Sequence, residues 1–348
     1  MATLLTAVLA ALAPAGASAF MKAVWGPLAF AGVNQFPLYH ALGARIYETS
    51  LDWNTVAPHE PDDPTSPLDP AYRWPAMLPE EINAARRYGM RVLIQVTNAP
   101  AWANGGHSGT GWAPKSPVTY AQFVEAAARE YPTVHMWMIW GEPNRKGEFR
   151  PEVPAKYTQT RLNAAQKRAP HLYAQMLDAA YGVLKQRDPA NKVIGGNTYT
   201  AGLLDPQQWI ENLVLPSGRR PRMDMYGHNP FSYTPPVFGA APSSYGEVQF
   251  SDLPRLEGWT KTYLGHHMPL FLSEFCVPTA PDQTFNFYIA PPAVAAKWVT
   301  EALQTARRSG YIYALGWANV HDQLPVNSCG LIQRNGMRKP DFYAFANH

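Results

Sequence analysis

Apolar residues in this chain fall into short runs of strand length, separated by longer stretches with helical spacing. Strand-like runs occupy 21–31, 44–51, 91–97, 134–142, 192–197, 223–229, 269–275 and 311–320. The spacing predicts helices over 35–42, 78–88, 116–131, 154–187, 205–213, 254–264, 291–310 and 339–347, the fourth broken near Pro170. Eight strands alternating with helices predict an α/β protein with a single-domain (β/α)8 TIM barrel. An open doubly wound sheet is the alternative. It requires a ligand fingerprint after the first strand, and neither G-x-G-x-x-G nor a P-loop stands there.

The domain is expected to span 20–348. Residues 1–19 read as a secretory signal peptide, with an apolar run from Leu4 to Pro14 and Ala17-Ser18-Ala19 as a small-residue cleavage site before Phe20. A secreted or extracytoplasmic protein follows from that reading. The n-region lacks Lys and Arg, and a short apolar helix packed on the domain is the other reading.

Composition narrows the function class. Apolar residues make up 46% and charged residues 16% of the 348, enough for a large core and too little charge for disorder. The formal net charge of +3 argues against a nucleic-acid or membrane-surface partner. The 11 Trp and 18 Tyr suit stacking on sugar rings and serve equally as core. No zinc-ligand spacing occurs, and without a G-x-S-x-G elbow serine hydrolysis has little support; neither a metal nor an organic cofactor is expected. A monomer is expected. Cys276 and Cys329 follow neighbouring strands; one disulfide and two buried thiols both remain open.

Active sites of such barrels lie at the carboxyl ends of the strands. Polar or aromatic residues at those ends are Trp25, Arg45, Glu48, Asn98, Glu142, Asn144, Asn197, His228, Asn229, Glu274, Trp317, Asn319 and His321. Side-chain alternation places Met136, Met138, Trp140 and Glu142 on one face of the fourth strand, and Leu270, Leu272 and Glu274 on one face of the seventh. Each Glu therefore closes an expected inward row. A lone Glu at a strand end is usually solvated or paired with Arg. Two facing each other across a barrel mouth meet the requirement of glycoside hydrolysis, one protonated and one ionised.

Trp137 to Asn144, W-x-x-W-G-E-P-N, resembles the W-N-E-P-N signature of clan A glycoside hydrolases, with families 39 and 5 nearest. Ser273-Glu274-Phe275 resembles the strand-seven signature, and the C-terminal GLIQRNGMRKPDFYAF the closing segment of these barrels. The resemblance implies a retaining glycosidase acting on a carbohydrate, with Glu142 as acid/base and Glu274 as nucleophile. Arg45 is similar to the strand-two Arg beside the nucleophile, His228 to a strand-six polar residue, and Trp317 to the aromatic floor of the sugar subsite. Asn98, Trp140, Asn144 and Tyr233 complete the substrate-binding candidates. One position departs: Gly141 stands where the clan usually has Asn on the sugar 2-hydroxyl. Another group, Asn98 or Asn144, replaces it, or the substrate differs at C2, or activity is lost. A lapsed barrel that binds cell-wall or extracellular glycan is the alternative function.

Overall fold

A computed structural model describes residues 20–153, 161–239, 243, 246–285 and 288–348. The expected signal peptide and the first part of the expected 154–187 helix lie outside the described residues. Eight strands form the barrel: β1 (Met21–Trp25), β2 (Ala44–Asp52), β3 (Arg91–Thr97), β4 (Met136–Ile139), β5 (Lys192–Tyr199), β6 (Met225–Asn229), β7 (Leu270–Phe275) and β8 (Ile312–Trp317). Every neighbouring pair is parallel, the order follows the sequence, and β1 closes on β8. Closure excludes the open sheet.

Alternation divides the strands between two cores. Ala23, Ile46, Leu93, Met136, Met138, Ile194, Met225 and Phe271 fill the barrel. Tyr47, Val92, Ile94, Trp137, Ile139 and Val193 face the helical shell. Three interior methionines are flexible side chains suited to an irregular centre. At the amino-terminal end, Arg91 Nη1 donates to Tyr313 Oη at 2.6 Å across the opening.

Helix bounds follow local chemistry. Helix Pro117–Glu130 starts where Ser116 Oγ accepts from the Thr119 amide, and Pro206–Glu211 opens with a capping box from Asp205 and Gln208. Helix Arg168–Arg187 holds Pro170 in its first turn, where no intrahelical donor is lost. The expected break is therefore the helix start. Residues 254–264 divide into an α-helix, Leu253–Trp259, and a π-turn, Thr260–Leu264.

Two strands carry an extra residue near the mouth. On β5 the register passes from Gly195↔Tyr226 to Thr198↔His228, and on β7 from Leu272↔Leu315 to Phe275↔Trp317. Each is a bulge that bends its strand and re-aims the side chains beyond it. The β5 bulge is clamped by Tyr173, whose hydroxyl donates to Ile139 O at 2.7 Å and accepts from Gly196 N at 2.8 Å. Cys276 and Cys329 form a disulfide with Cα atoms 5.5 Å apart, tying the segment after β7 to the one after β8. It closes 53 residues of chain, which the loop-entropy model values at on the order of 4 kcal/mol.

Tyr173→Phe leaves a buried carbonyl and a buried amide without their partner. It is expected to lower stability by about 2 kcal/mol, read as a lower urea midpoint at unchanged slope. An unchanged midpoint would show that the clamp is not needed.

Candidate active site

Among the described residues five non-glycine residues have positive φ, and four stand at the mouth: Asn98, Trp140 and Glu142 just past strand ends, and Asn197 in the β5 bulge. Asn tolerates this conformation; for Trp and Glu it costs on the order of 1–3 kcal/mol each. Such clustering marks a backbone shaped by its site. The φ of 65° at Trp140 ends β4 and turns the indole out of the expected inward row. The ring packs on Tyr120 and Phe149 in the outer layer, and its Nε1 donates to Glu148 O at 2.6 Å. Two residues on, the Glu142 amide donates to Asn197 O at 3.0 Å, so the β5 bulge holds the acid's backbone.

Glu142 and Glu274 line one pocket of about 210 Å³ with Gln95, Thr97, Asn98, Trp140, Gly141, Arg145 and Glu148. Asn229, at the end of β6, joins the two. Its Nδ2 donates to Glu142 Oε1 at 2.9 Å, and its Oδ1 accepts from the Glu274 amide at 3.1 Å. Arg145 Nη1 donates to Glu142 Oε2 at 2.6 Å. Both Glu142 oxygens thus accept from groups that can only donate, as a carboxylate does. Glu274 is pushed well above the usual carboxyl range, first by burial and then by the charge of Glu142, with Arg145 opposing. Two carboxyl groups in one pocket, one of them raised by the charge of the other, are suited to share a single proton.

A third carboxyl lies beneath. Glu48 is fully enclosed and accepts at Oε2 from Ser273 Oγ at 2.7 Å. Trp25 Nε1 reaches the same Ser273 from β1, at 3.2 Å from both its oxygens. Burial raises Glu48 well above the ordinary carboxyl pKa, with Glu274 adding to the rise. A Cβ at Gly316 would stand 2.0 Å from the Ser273 carbonyl oxygen and 2.3 Å from Glu48 Oε1, so β8 needs a glycine there.

The expected residues divide. Glu142, Glu274 and Asn98 come together, Asn98 also donating to Asp52 Oδ2 at 2.6 Å. Trp140 borders the pocket but is 1% accessible and offers no stacking face. Arg45 does not reach Glu274; it is exposed near the amino-terminal start of β2, where its charge acts on Lys22. Asn144 spends its amide on the Tyr199 backbone and Leu204 O, clasping the loop. His228 is enclosed, with Nδ1 on Thr198 Oγ1 and Nε2 on Val248 O, and burial lowers its pKa to about 4. Tyr233 donates to Glu247 and does not line the pocket that holds Glu142 and Glu274. Trp317 has no accessible surface; it packs on Phe275 and Phe345 and donates to Cys329 O, so it floors no subsite.

The seventh-strand alternation is corrected as well. Leu270 and Leu272 face the shell, Phe271 fills the barrel, and the bulge brings Glu274 to the mouth. Gln95, Arg145 and Asn229 complete the site. Gln95 was readable as the one polar residue inside the apolar β3, two positions after the inward Leu93. Arg145 carried only the weak signal of a cation three residues after Glu142.

Glu48 and Glu274 hold protons in the folded state that the unfolded chain releases near pH 4.5. Folding stability should therefore fall as pH rises above that value. Glu48→Gln is expected to be more stable than wild type at pH 7 and to lose less between pH 5 and 8 in urea unfolding. An identical pH slope would show that Glu48 is not the buried acid described.

No protein-family model matches the chain, and no curated protein matches it in sequence. Solved structures match it in fold. A family 39 glycoside hydrolase from the gut symbiont Bacteroides cellulosilyticus WH2 superposes with TM-score 0.66 at 17% identity, over 95% of this chain and 63% of that one. A monomeric β-xylosidase from Caulobacter crescentus CB15 gives 0.62 at 16%, over 94% and 67%. A GH39 enzyme from Xanthomonas axonopodis pv. citri gives 0.64 at 16%, over 95% and 67%. This chain thus has the (β/α)8 fold seen in family 39 glycoside hydrolases, and spans 63% of the length of the first of these three.

Proposed function

We propose that this chain is a retaining glycoside hydrolase. The observation that carries the reading is the meeting of Glu142 and Glu274, from the ends of β4 and β7, in one pocket and on one Asn229 carboxamide. The fold likeness to family 39 enzymes supports it by analogy.

In this reading Glu274 attacks the anomeric carbon while Glu142 protonates the departing oxygen. Glu142 then takes a proton from water, which releases the sugar from Glu274 with its configuration retained. The reacting form needs the shared proton on Glu142, and the Arg145 contact stands against that. Substrate entry therefore has to displace Arg145 from Glu142. Its guanidinium already lies over the Tyr199 ring at the end of β5, at 5.0 Å, a contact that does not depend on Glu142. The protein is proposed to be exported and to take an O-glycoside or oligosaccharide.

The same ion pair favours one second reading, a barrel that binds glycan without cleaving it. A fluorogenic glycoside panel run beside glycan binding separates the two. Binding without turnover would favour the lapsed barrel.

Glu274→Ala is expected to lower kcat by at least about a thousandfold, with azide restoring turnover and giving product of inverted configuration by NMR. Unchanged kcat would remove Glu274 as nucleophile. The charge of Arg145 holds Glu274 lower than burial and Glu142 alone would. Because Glu274 must be ionised to attack, Arg145→Gln should move the acid limb of the kcat/KM profile to higher pH. A limb that stays or moves down would contradict the electrostatic account.

A further inference from the structure

The residue before Glu142 is a glycine, and its backbone does not require one. Gly141 is absent from the glycines with positive φ, so an L side chain fits its conformation. What crowds a side chain there is Gln95, whose carboxamide would have to shift by a few tenths of an ångström. A Cβ at 141 would stand 3.0 Å from Gln95 Oε1 and 3.1 Å from both Cδ and Nε2. The Gln95 carboxamide thus borders the space that a side chain at 141 would enter.

Gln95 also has hydrogen-bonding capacity to spare. Its Nε2 contacts Met138 Sδ at 3.2 Å, a weak acceptor, and no other hydrogen bond of its side chain is made among the described residues. The other carboxamides around the mouth are committed or closed off. Asn229 bridges the two acids, Asn98 holds Asp52, Asn144 clasps its loop, and Asn197 is fully enclosed. Gln95 stands in the pocket wall beside Glu142 and Glu274, one inward position above the core residue Leu93.

We infer that Gln95 is the specificity-determining residue of the reacting subsite, reading the free hydroxyl next to the anomeric carbon, and that Gly141 makes room for it. The inference rests on the glycoside-hydrolase reading and narrows its substrate to sugars that carry that hydroxyl unsubstituted. A carboxamide suits the task because it donates and accepts in one plane. Hydrogen bonds to this hydroxyl strengthen as the ring gains oxocarbenium character, so they favour the transition state over the bound substrate.

The test uses the full chain. The probe is whichever 4-nitrophenyl glycoside wild type turns over fastest among β-xyloside, β-glucoside, β-glucuronide and α-L-arabinofuranoside, together with its 2-deoxy counterpart. Wild type is expected to prefer the hydroxylated probe by at least about a hundredfold in kcat/KM, and Gln95→Ala to reduce that preference to within about tenfold. Gly141→Asn should weaken turnover by crowding Gln95. The Gln95→Ala/Gly141→Asn double variant should recover part of the preference, since a carboxamide then enters from the other side. A merely structural role for Gln95 would lower both probes equally and leave the ratio unchanged. Wild-type turnover with an unchanged ratio in Gln95→Ala overturns the assignment of Gln95 alone. No turnover of any probe by wild type overturns the hydrolase reading and this inference with it.

Discussion

Two carboxyl groups facing one buried pocket cannot both be ionised cheaply, so they share a proton. Much of the mouth of this barrel can be understood from that constraint. Arg145 and Asn229 both donate to the Glu142 carboxyl group, and burial together with the charge of Glu142 raises the pKa of Glu274. Glu48, enclosed under Ser273, adds a third acid whose charge would be more costly still. The backbone serves the same arrangement. Bulges on β5 and β7 and positive φ at Trp140 and Glu142 set the two acids on a carboxamide from β6. A parallel barrel can hold this strain because its strand ends are braced from outside, as Tyr173 braces β4 and β5.

The barrel was legible because period and length alternate cleanly: each of the eight expected strand regions overlaps a barrel strand, with β2 and β5 running one and two residues further. Glu142 and Glu274 were legible because each ends an apolar run. The argument that placed them was only partly sound. Strict alternation fails wherever a bulge adds a residue, and β7 has one between Leu272 and Phe275. Glu274 reaches the mouth through that bulge, while its supposed row-mates Leu270 and Leu272 face the shell.

The supporting residues were less legible, for a physical reason. Arg45, His228 and Trp317 have suitable chemistry near suitable strands, but sequence does not say which end or face a side chain occupies. Arg45 lies at the amino-terminal end, and His228 and Trp317 are enclosed in packing. The residues that do meet the acids reach them through tertiary contacts: Asn229 across strands, Arg145 within a tight turn, and Gln95 through the space left by Gly141. The missing side chain at 141 suggested loss of a sugar contact when read alone. Beside Gln95 it reads as an exchange of one carboxamide for another.

The central claim is that Glu274 is the group that bonds to the sugar. The most direct measurement is trapping with a 2,4-dinitrophenyl 2-deoxy-2-fluoro glycoside, followed by peptide mapping by mass spectrometry. The account predicts one sugar adduct per chain, on the peptide carrying Glu274. An adduct on Glu142 or Glu48, or hydrolysis of the parent glycoside with inverted configuration, would contradict it.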